Sequence, residues 1–146
     1  MPPRYENWDA IKRLTLAMEA SMAPISPGEQ PIVLIVDDDT LLTDLFRQAM
    51  TKRGFQVLEA HTGAGALAML ETHPVHAVVL DMTLPDMTGI QVAQALGQAH
   101  PPLPIVIATG HDLDPAGLPA NVVDVIRKPF SLRSLAALLH TLLTPA

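Results

Sequence analysis

Ile32-Val33-Leu34-Ile35-Val36-Asp37-Asp38-Asp39 is the stretch on which the fold turns. Its first five residues are aliphatic and mostly β-branched. They are too few for a helix and show no polar alternation, so they predict a strand buried on both faces, as in a parallel sheet. Three carboxylates follow at once. The same shape, an apolar run that ends in polar residues, recurs downstream. Ala77-Val78-Val79-Leu80 ends in Asp81, Pro104-Ile105-Val106-Ile107-Ala108 ends in Thr109-Gly110, and Val123 to Arg127 ends in Lys128-Pro129. Phe55 to Ala60 predicts one more short strand.

Helical patterns lie between these runs. Thr40 to Arg53 carries Leu41, Leu42, Leu45, Phe46, Ala49 and Met50 at helical spacing, and Gly54 stops it. Gly63 to Thr72 forms a second pattern, ended by His73-Pro74, and Gly89 to Ala99 a third. Ser131 caps a last one, with Leu132, Leu135, Leu138, Leu139, Leu142 and Leu143 expected to face inward. Strand and helix alternate, which predicts an α/β fold with a parallel sheet and helices on both faces. The expectation is a flavodoxin-like, doubly wound, five-stranded sheet of order 2-1-3-4-5. Between Thr109 and Val123 two prolines and two glycines leave room for about two helical turns at most, so a helix there should be short, irregular or absent.

The chain before Pro31 reads differently. From Glu6 to Met22, Trp8, Ile11, Met18 and Met22 recur at helical spacing, which predicts an extra amphipathic helix within residues 1–22. Residues 23–30 hold two prolines and a glycine and read as a linker, so the domain is expected over 31–146. Trp8 on the apolar stripe favours packing onto this domain or onto a second copy, as a homodimer. The 146 residues carry a formal charge of −6, 49% hydrophobic and 3% aromatic residues, and no cysteine. An acidic chain repels phosphate backbones and offers few stacking rings, which speaks against nucleic acid. No apolar run approaches the roughly 18 residues of a membrane span, and no signal-peptide pattern is present, so a cytoplasmic protein is expected. The absence of cysteine fits a reducing compartment.

The polar residues after the strands share one edge. In a doubly wound sheet the carboxyl ends of the strands line the crevice where strand order reverses, and in the order 2-1-3-4-5 the first and third strands meet there. Asp37, Asp38 and Asp81 then converge, with Thr109 and Lys128 further along. Three carboxylates in a small space call for a cation or for protonation. An all-oxygen set selects Mg²⁺, Ca²⁺ or Mn²⁺, and two or three carboxylates plus waters suit Mg²⁺ best. A hydroxyl and an ammonium are the groups a phosphoryl moiety needs. Singly, each has an ordinary explanation: Asp39 as a helix cap, Leu84-Pro85-Asp86 as turn chemistry, Thr109-Gly110 as a strand exit. Lys128-Pro129 hints at a cis peptide.

Taken together, the stretches Ile35 to Asp39, Val79 to Gly89, Ile105 to Gly110 and Lys128-Pro129-Phe130 resemble the CheY-like receiver domain of two-component response regulators, over residues 31–143. Asp81 follows Asp38 by 43 residues, Thr109 follows Asp81 by 28, and Lys128 follows Thr109 by 19. The resemblance implies a role for each. Asp81 is the phosphoacceptor. Asp37, Asp38, Asp81 and the backbone carbonyl of Thr83 hold Mg²⁺. Lys128 pairs with phosphoryl oxygens, Thr109 moves to bond one of them, and the Met82 amide donates to the same group. Thr83 and His111 stand where such domains tune dephosphorylation. The implied partners are a sensor histidine kinase or histidine phosphotransfer protein and a downstream protein target, and the protein is a switch rather than an enzyme.

Two positions depart from the family pattern. Val125 stands where an aromatic residue often couples to the threonine, and the stretch before the fifth strand lacks a full helix. Both touch the usual output surface, which keeps a phosphorylation-independent interaction module as an alternative. A haloacid-dehalogenase-like phosphatase would want an aspartate where Thr83 stands, and a flavin binder would not place Asp37-Asp38-Asp39 in its phosphate loop. The six histidines show no ligand spacing and read as surface or loop residues. With the chain ending just past the last helix, no output domain is expected within it.

Overall fold

The computed structural model describes residues 29–99, 103–114 and 116–143. The expected N-terminal helix and linker, and any dimer through that helix, lie outside these apart from the linker's last two residues. Five strands, β1 (Ile32–Val36), β2 (Gln56–Ala60), β3 (Ala77–Asp81), β4 (Ile105–Thr109) and β5 (Val122–Arg127), form one sheet. All neighbours pair in parallel, in the expected order β2-β1-β3-β4-β5. Four helices join them: α1 (Thr40–Thr51), α2 (Gly63–Thr72), α3 (Gly89–Ala99) and α4 (Leu132–Leu143).

The period of two along each strand builds two cores. Val33, Ile35, Val79, Val106 and Ala108 face Phe46 and Met50 of α1 and the leucines of α4. Leu34, Val36, Val78, Leu80, Ile105 and Ile107 face Ala66 and Leu70 of α2 and Val92, Ala93 and Leu96 of α3. β1, β3 and β4 are therefore apolar on both sides, which is why they read as unbroken aliphatic runs.

The edge of α1 differs from its expected inward face. Leu41 and Leu45 are 67% and 46% exposed, while Thr43, Phe46 and Met50 are buried. At about 100° per residue the six apolar positions span nearly half the helix, more than one contact line with the sheet can cover. The buried Thr43 hydroxyl donates to the Thr40 carbonyl at 3.1 Å, which satisfies a polar group on the buried face.

Among the described residues no helix lies between β4 and β5, as the prolines and glycines required. A register shift at Ile105/Val106 accompanies the entry into β5. Asn121 is buried just before it and donates to the Ala93 carbonyl of α3 at 3.0 Å. A second tie joins the amino ends of β1 and β3. His76 is not a plain loop histidine: its Nδ1 accepts from the Ile32 N–H at 2.9 Å, and its own N–H donates to the Ile32 carbonyl at 2.8 Å. Burial lowers its pKa, opposed by Glu29.

Candidate functional site

β1 and β3 are neighbours, so the residues that leave them meet. Asp37 extends the β1–β2 ladder by donating its N–H to the Ala60 carbonyl at 3.1 Å. Its Oδ1 accepts from the Asp39 N–H at 2.9 Å, which closes a turn two residues long. Asp39 then caps α1, accepting from Leu41 and Leu42 at 3.1 and 3.2 Å. The acidic triplet thus has divided duties: Asp37 points inward, Asp38 stays exposed, and Asp39 holds the helix.

One carboxylate oxygen each from Asp37, Asp38 and Asp81 lies within 4.8 Å of the others. Lys128 enters from the opposite side of the site. Its N–H donates to the Thr109 carbonyl at 2.8 Å, continuing the β4–β5 pairing, and a cis Lys128-Pro129 bond follows. Its Nζ reaches Asp37 Oδ2 at 2.6 Å and Asp81 Oδ1 at 3.3 Å. Burial of Lys128 works against its charge, but the hydrogen bond and charge of Asp37, and then those of Asp81, hold the ammonium above its ordinary pKa. Burial and then the Asp37 charge raise the Asp81 pKa, against the pull of Lys128. One ammonium among three carboxylates leaves an excess of negative charge, and every donor is oxygen. That set fits a hard divalent cation.

The structure brings Asp37, Asp38, Asp81 and Lys128 together. Thr109 stands one residue beyond Ala108, the partner of Asp81 in the sheet. Its hydroxyl is turned into its own loop, where it accepts from the His111 N–H at 3.1 Å. The Met82 amide is not free to donate to a phosphoryl group as expected. It donates to the Ala108 carbonyl at 2.9 Å, because the β3–β4 ladder runs one residue past Asp81. The backbone of Thr83 hydrogen-bonds the Asp81 carboxylate instead.

The loop from Met82 to Thr88 is closed on itself. Thr83 and Thr88 form an antiparallel bridge, Leu84 N–H donates to the Met87 carbonyl at 3.2 Å, and Gly89 N–H donates to the Met82 carbonyl at 2.7 Å. A Cβ on Gly89 would stand 2.7 Å from the Asp81 carbonyl oxygen, so the close return of the chain requires glycine. Thr88 and Gln91 cap α3 reciprocally, the Thr88 hydroxyl accepting from Gln91 N–H and Gln91 Oε1 accepting from Thr88 N–H.

Comparison with known proteins agrees with this geometry. Residues 33–140 match the response regulator receiver domain. The chain belongs to that family. The probable transcriptional regulatory protein TcrX of Mycobacterium tuberculosis is 34% identical over 119 residues, 80% of this chain and 51% of that protein. The transcriptional regulatory protein KdpE of the same species is 38% identical over 111 residues, 75% of this chain and 49% of that protein. The chain therefore spans about half the length of the curated relatives it matches. A CheY-like receiver domain protein from Methanospirillum hungatei JF-1 superposes with a TM-score of 0.74 at 28% identity, over 79% of this chain and 94% of that one. This is a receiver domain of two-component signal transduction, a family that works between histidine kinases and downstream targets. Among the described residues no helix is long and apolar enough to cross a membrane.

Proposed function

We propose that Asp81 is the phosphoacceptor of this receiver domain and that Asp37, Asp38, Asp81 and the Thr83 carbonyl hold Mg²⁺. The observation that carries the reading is the convergence of three carboxylates within 4.8 Å under a lysine that bridges two of them. When bound, the metal neutralises charge on the phosphoryl oxygens. An Asp81 carboxylate oxygen forms the new bond to phosphorus as the P–N bond of a donor phosphohistidine breaks. The electron pair leaves on the imidazole nitrogen. Lys128, already fixed between Asp37 and Asp81, supplies a positive donor to the transferred group without reorganising. Thr109 reaches that group by giving up the His111 N–H.

The donor is a sensor histidine kinase or a histidine phosphotransfer protein in the cytoplasm. The phosphorylated form differs in affinity for a downstream protein, so the domain acts as a switch with at most slow self-dephosphorylation. Intact mass after incubation with Mg²⁺ and acetyl phosphate, beside Asp81→Asn, tests this. The expected result is one phosphoryl adduct that needs Mg²⁺ and is lost in the variant. An adduct that survives in Asp81→Asn, or none in the parent chain, overturns it. The second outcome points to an interaction module that works unphosphorylated.

A further inference from the structure

The loop that follows Asp81 is held at its tip as well as at its root. Asp86, five residues past Asp81, extends its carboxylate to α2 and accepts from the Gly63 N–H at 2.8 Å and the Ala64 N–H at 2.9 Å. These are first-turn donors that a helix cannot satisfy internally. Another is met locally, since Thr62 Oγ1 accepts from Gly65 N–H at 2.9 Å, and the first intrahelical bond runs from Ala66 N–H to the Thr62 carbonyl at 3.0 Å. Next to Asp86, the Met87 side chain occupies the space of the missing Gly63 Cβ, which would stand 2.2 Å from Met87 Cγ. Leu84 is buried in the core behind α2 and α3. The loop is thus pinned at Gly89, along the Thr83–Thr88 bridge and at Asp86. Thr83 lies inside that frame.

We propose that Asp86 is a positioning residue for the metal site: by clamping the loop tip to the N-terminus of α2, it fixes the Thr83 carbonyl beside Asp81. This rests on the reading of Asp37, Asp38, Asp81 and Thr83 as metal-holding groups. A carboxylate aimed at a helix N-terminus is stabilised by both N–H groups and by the helix dipole. The alternative is that Asp86 serves α2 alone, as an extra cap. The two differ in what its loss does. A cap affects only the stability of the fold. A clamp also sets the affinity of the site, because a ligand held less firmly must be ordered when the metal binds. Coupling is reciprocal, so metal binding also tightens the clamp.

The experiment titrates the full chain with Mg²⁺ alone, followed by backbone amide NMR shifts near Asp37 and Asp81, with thermal melting alongside. Asp86→Ala is expected to weaken Mg²⁺ binding about tenfold, the low end for losing a group that orients a ligand. Asp86→Asn keeps one acceptor oxygen and falls between. Thr62→Ala removes the cap from the same helix end; it melts earlier than the parent chain but keeps the parent Mg²⁺ affinity. In the parent chain Mg²⁺ slows hydrogen exchange at Gly63 and Ala64, and in Asp86→Ala it does not. Equal Mg²⁺ affinity in the parent and Asp86→Ala overturns the clamp while leaving the metal site standing. An equal loss in Thr62→Ala also overturns it, since any weakening of α2 would then suffice. No Mg²⁺ binding by the parent chain overturns the metal-site reading, and the clamp with it.

Discussion

Two loops flank the candidate site, and the chain builds them in opposite ways. The β3–α3 loop, Met82 to Thr88, is pinned by backbone bonds at its root, a strand-like bridge along its length and two charge-assisted bonds at its tip. The β4–β5 connection, Gly110 to Asn121, has lighter ties among its described residues. The Thr109 hydroxyl accepts from His111, Asp114 accepts from Ala116, and Arg127 pairs with Asp112 on an open surface. Among the described residues of this connection, Asn121, at its far end, donates a side-chain hydrogen bond into the core. On the proposed reading the first loop follows a reactive carboxylate and carries a metal-holding carbonyl, which need fixed places. The second follows a hydroxyl that, on that reading, changes partner. Rigidity and freedom are placed where each is useful.

The largest effect belongs to the group that stands between the two. Lys128 is anchored by the β4–β5 pairing yet serves the carboxylates on the other side. Replacing it with alanine removes the preorganised cation that, among the described residues, pairs with both Asp81 and Asp37. Adduct formation with acetyl phosphate, read by intact mass at saturating Mg²⁺, is expected to slow by about 10²-fold. A rate within a factor of two of the parent would show that the metal alone supplies the charge.

Gly89→Ala comes next and strikes the rigid loop. Its new Cβ meets backbone at 2.7 and 3.0 Å, where no side chain can give way. Overpacking of this kind costs about 1–3 kcal/mol, visible as a lowered melting temperature. The displaced Asp81 carbonyl also shifts the proposed phosphoacceptor, so adduct yield is expected to fall with it. Unchanged melting would mean that the loop yields more readily than its bonds suggest.

The clamp gives a pH test. The bonds from Ala64 and then Gly63 hold the Asp86 carboxyl below its ordinary pKa. In the unfolded chain the group titrates at the ordinary aspartate value of about 3.9. On acidification the unfolded chain therefore takes up its proton first, and the folded chain only at lower pH. The stabilisation is complete above the unfolded value and is lost as pH falls through the folded one. The gap in melting temperature between the parent and Asp86→Ala should be constant at pH 7 to 5 and close below about pH 4. A gap that persists at the lowest pH would assign the effect to packing rather than charge.

These contrasts also mark what could be read from residues alone. The sheet was legible because buried parallel strands are apolar on both faces, and the site because its acids and lysine each follow such a run. Asp39 was recognisable as a cap for the same local reason. What escaped depends on contacts between distant segments. Leu84-Pro85-Asp86 reads as turn chemistry, and nothing nearby shows that its carboxylate lands on Gly63 and Ala64, more than twenty residues upstream. Thr62-Gly63-Ala64-Gly65 announces a helix start with more donors than one threonine can meet, a signal that a partner is needed without saying which. His76 is tied to Ile32 over 44 residues. On α1 the apolar arc is wider than the contact it makes, so Leu41 and Leu45 of the helical face that periodicity marks are exposed, while Thr43, which it does not mark, is buried.

Gly110→Ala should have the smallest effect, and it is the sharpest complement to Gly89→Ala. Both glycines directly follow residues of the site region, and both changes add one methyl group. Around Gly110 a Cβ meets nothing within 4 Å. The melting temperature should therefore correspond to a change within about 0.5 kcal/mol of the parent. If the β4–β5 loop is free because it is thinly tied, adduct formation should also be preserved, since a methyl group in open space hinders neither the Thr109 hydroxyl nor the Lys128 ammonium. A loss of adduct without a loss of stability would mean that this loop closes tightly over the phosphorylated site. The freedom of the second loop would then belong to one state of the switch and not to both.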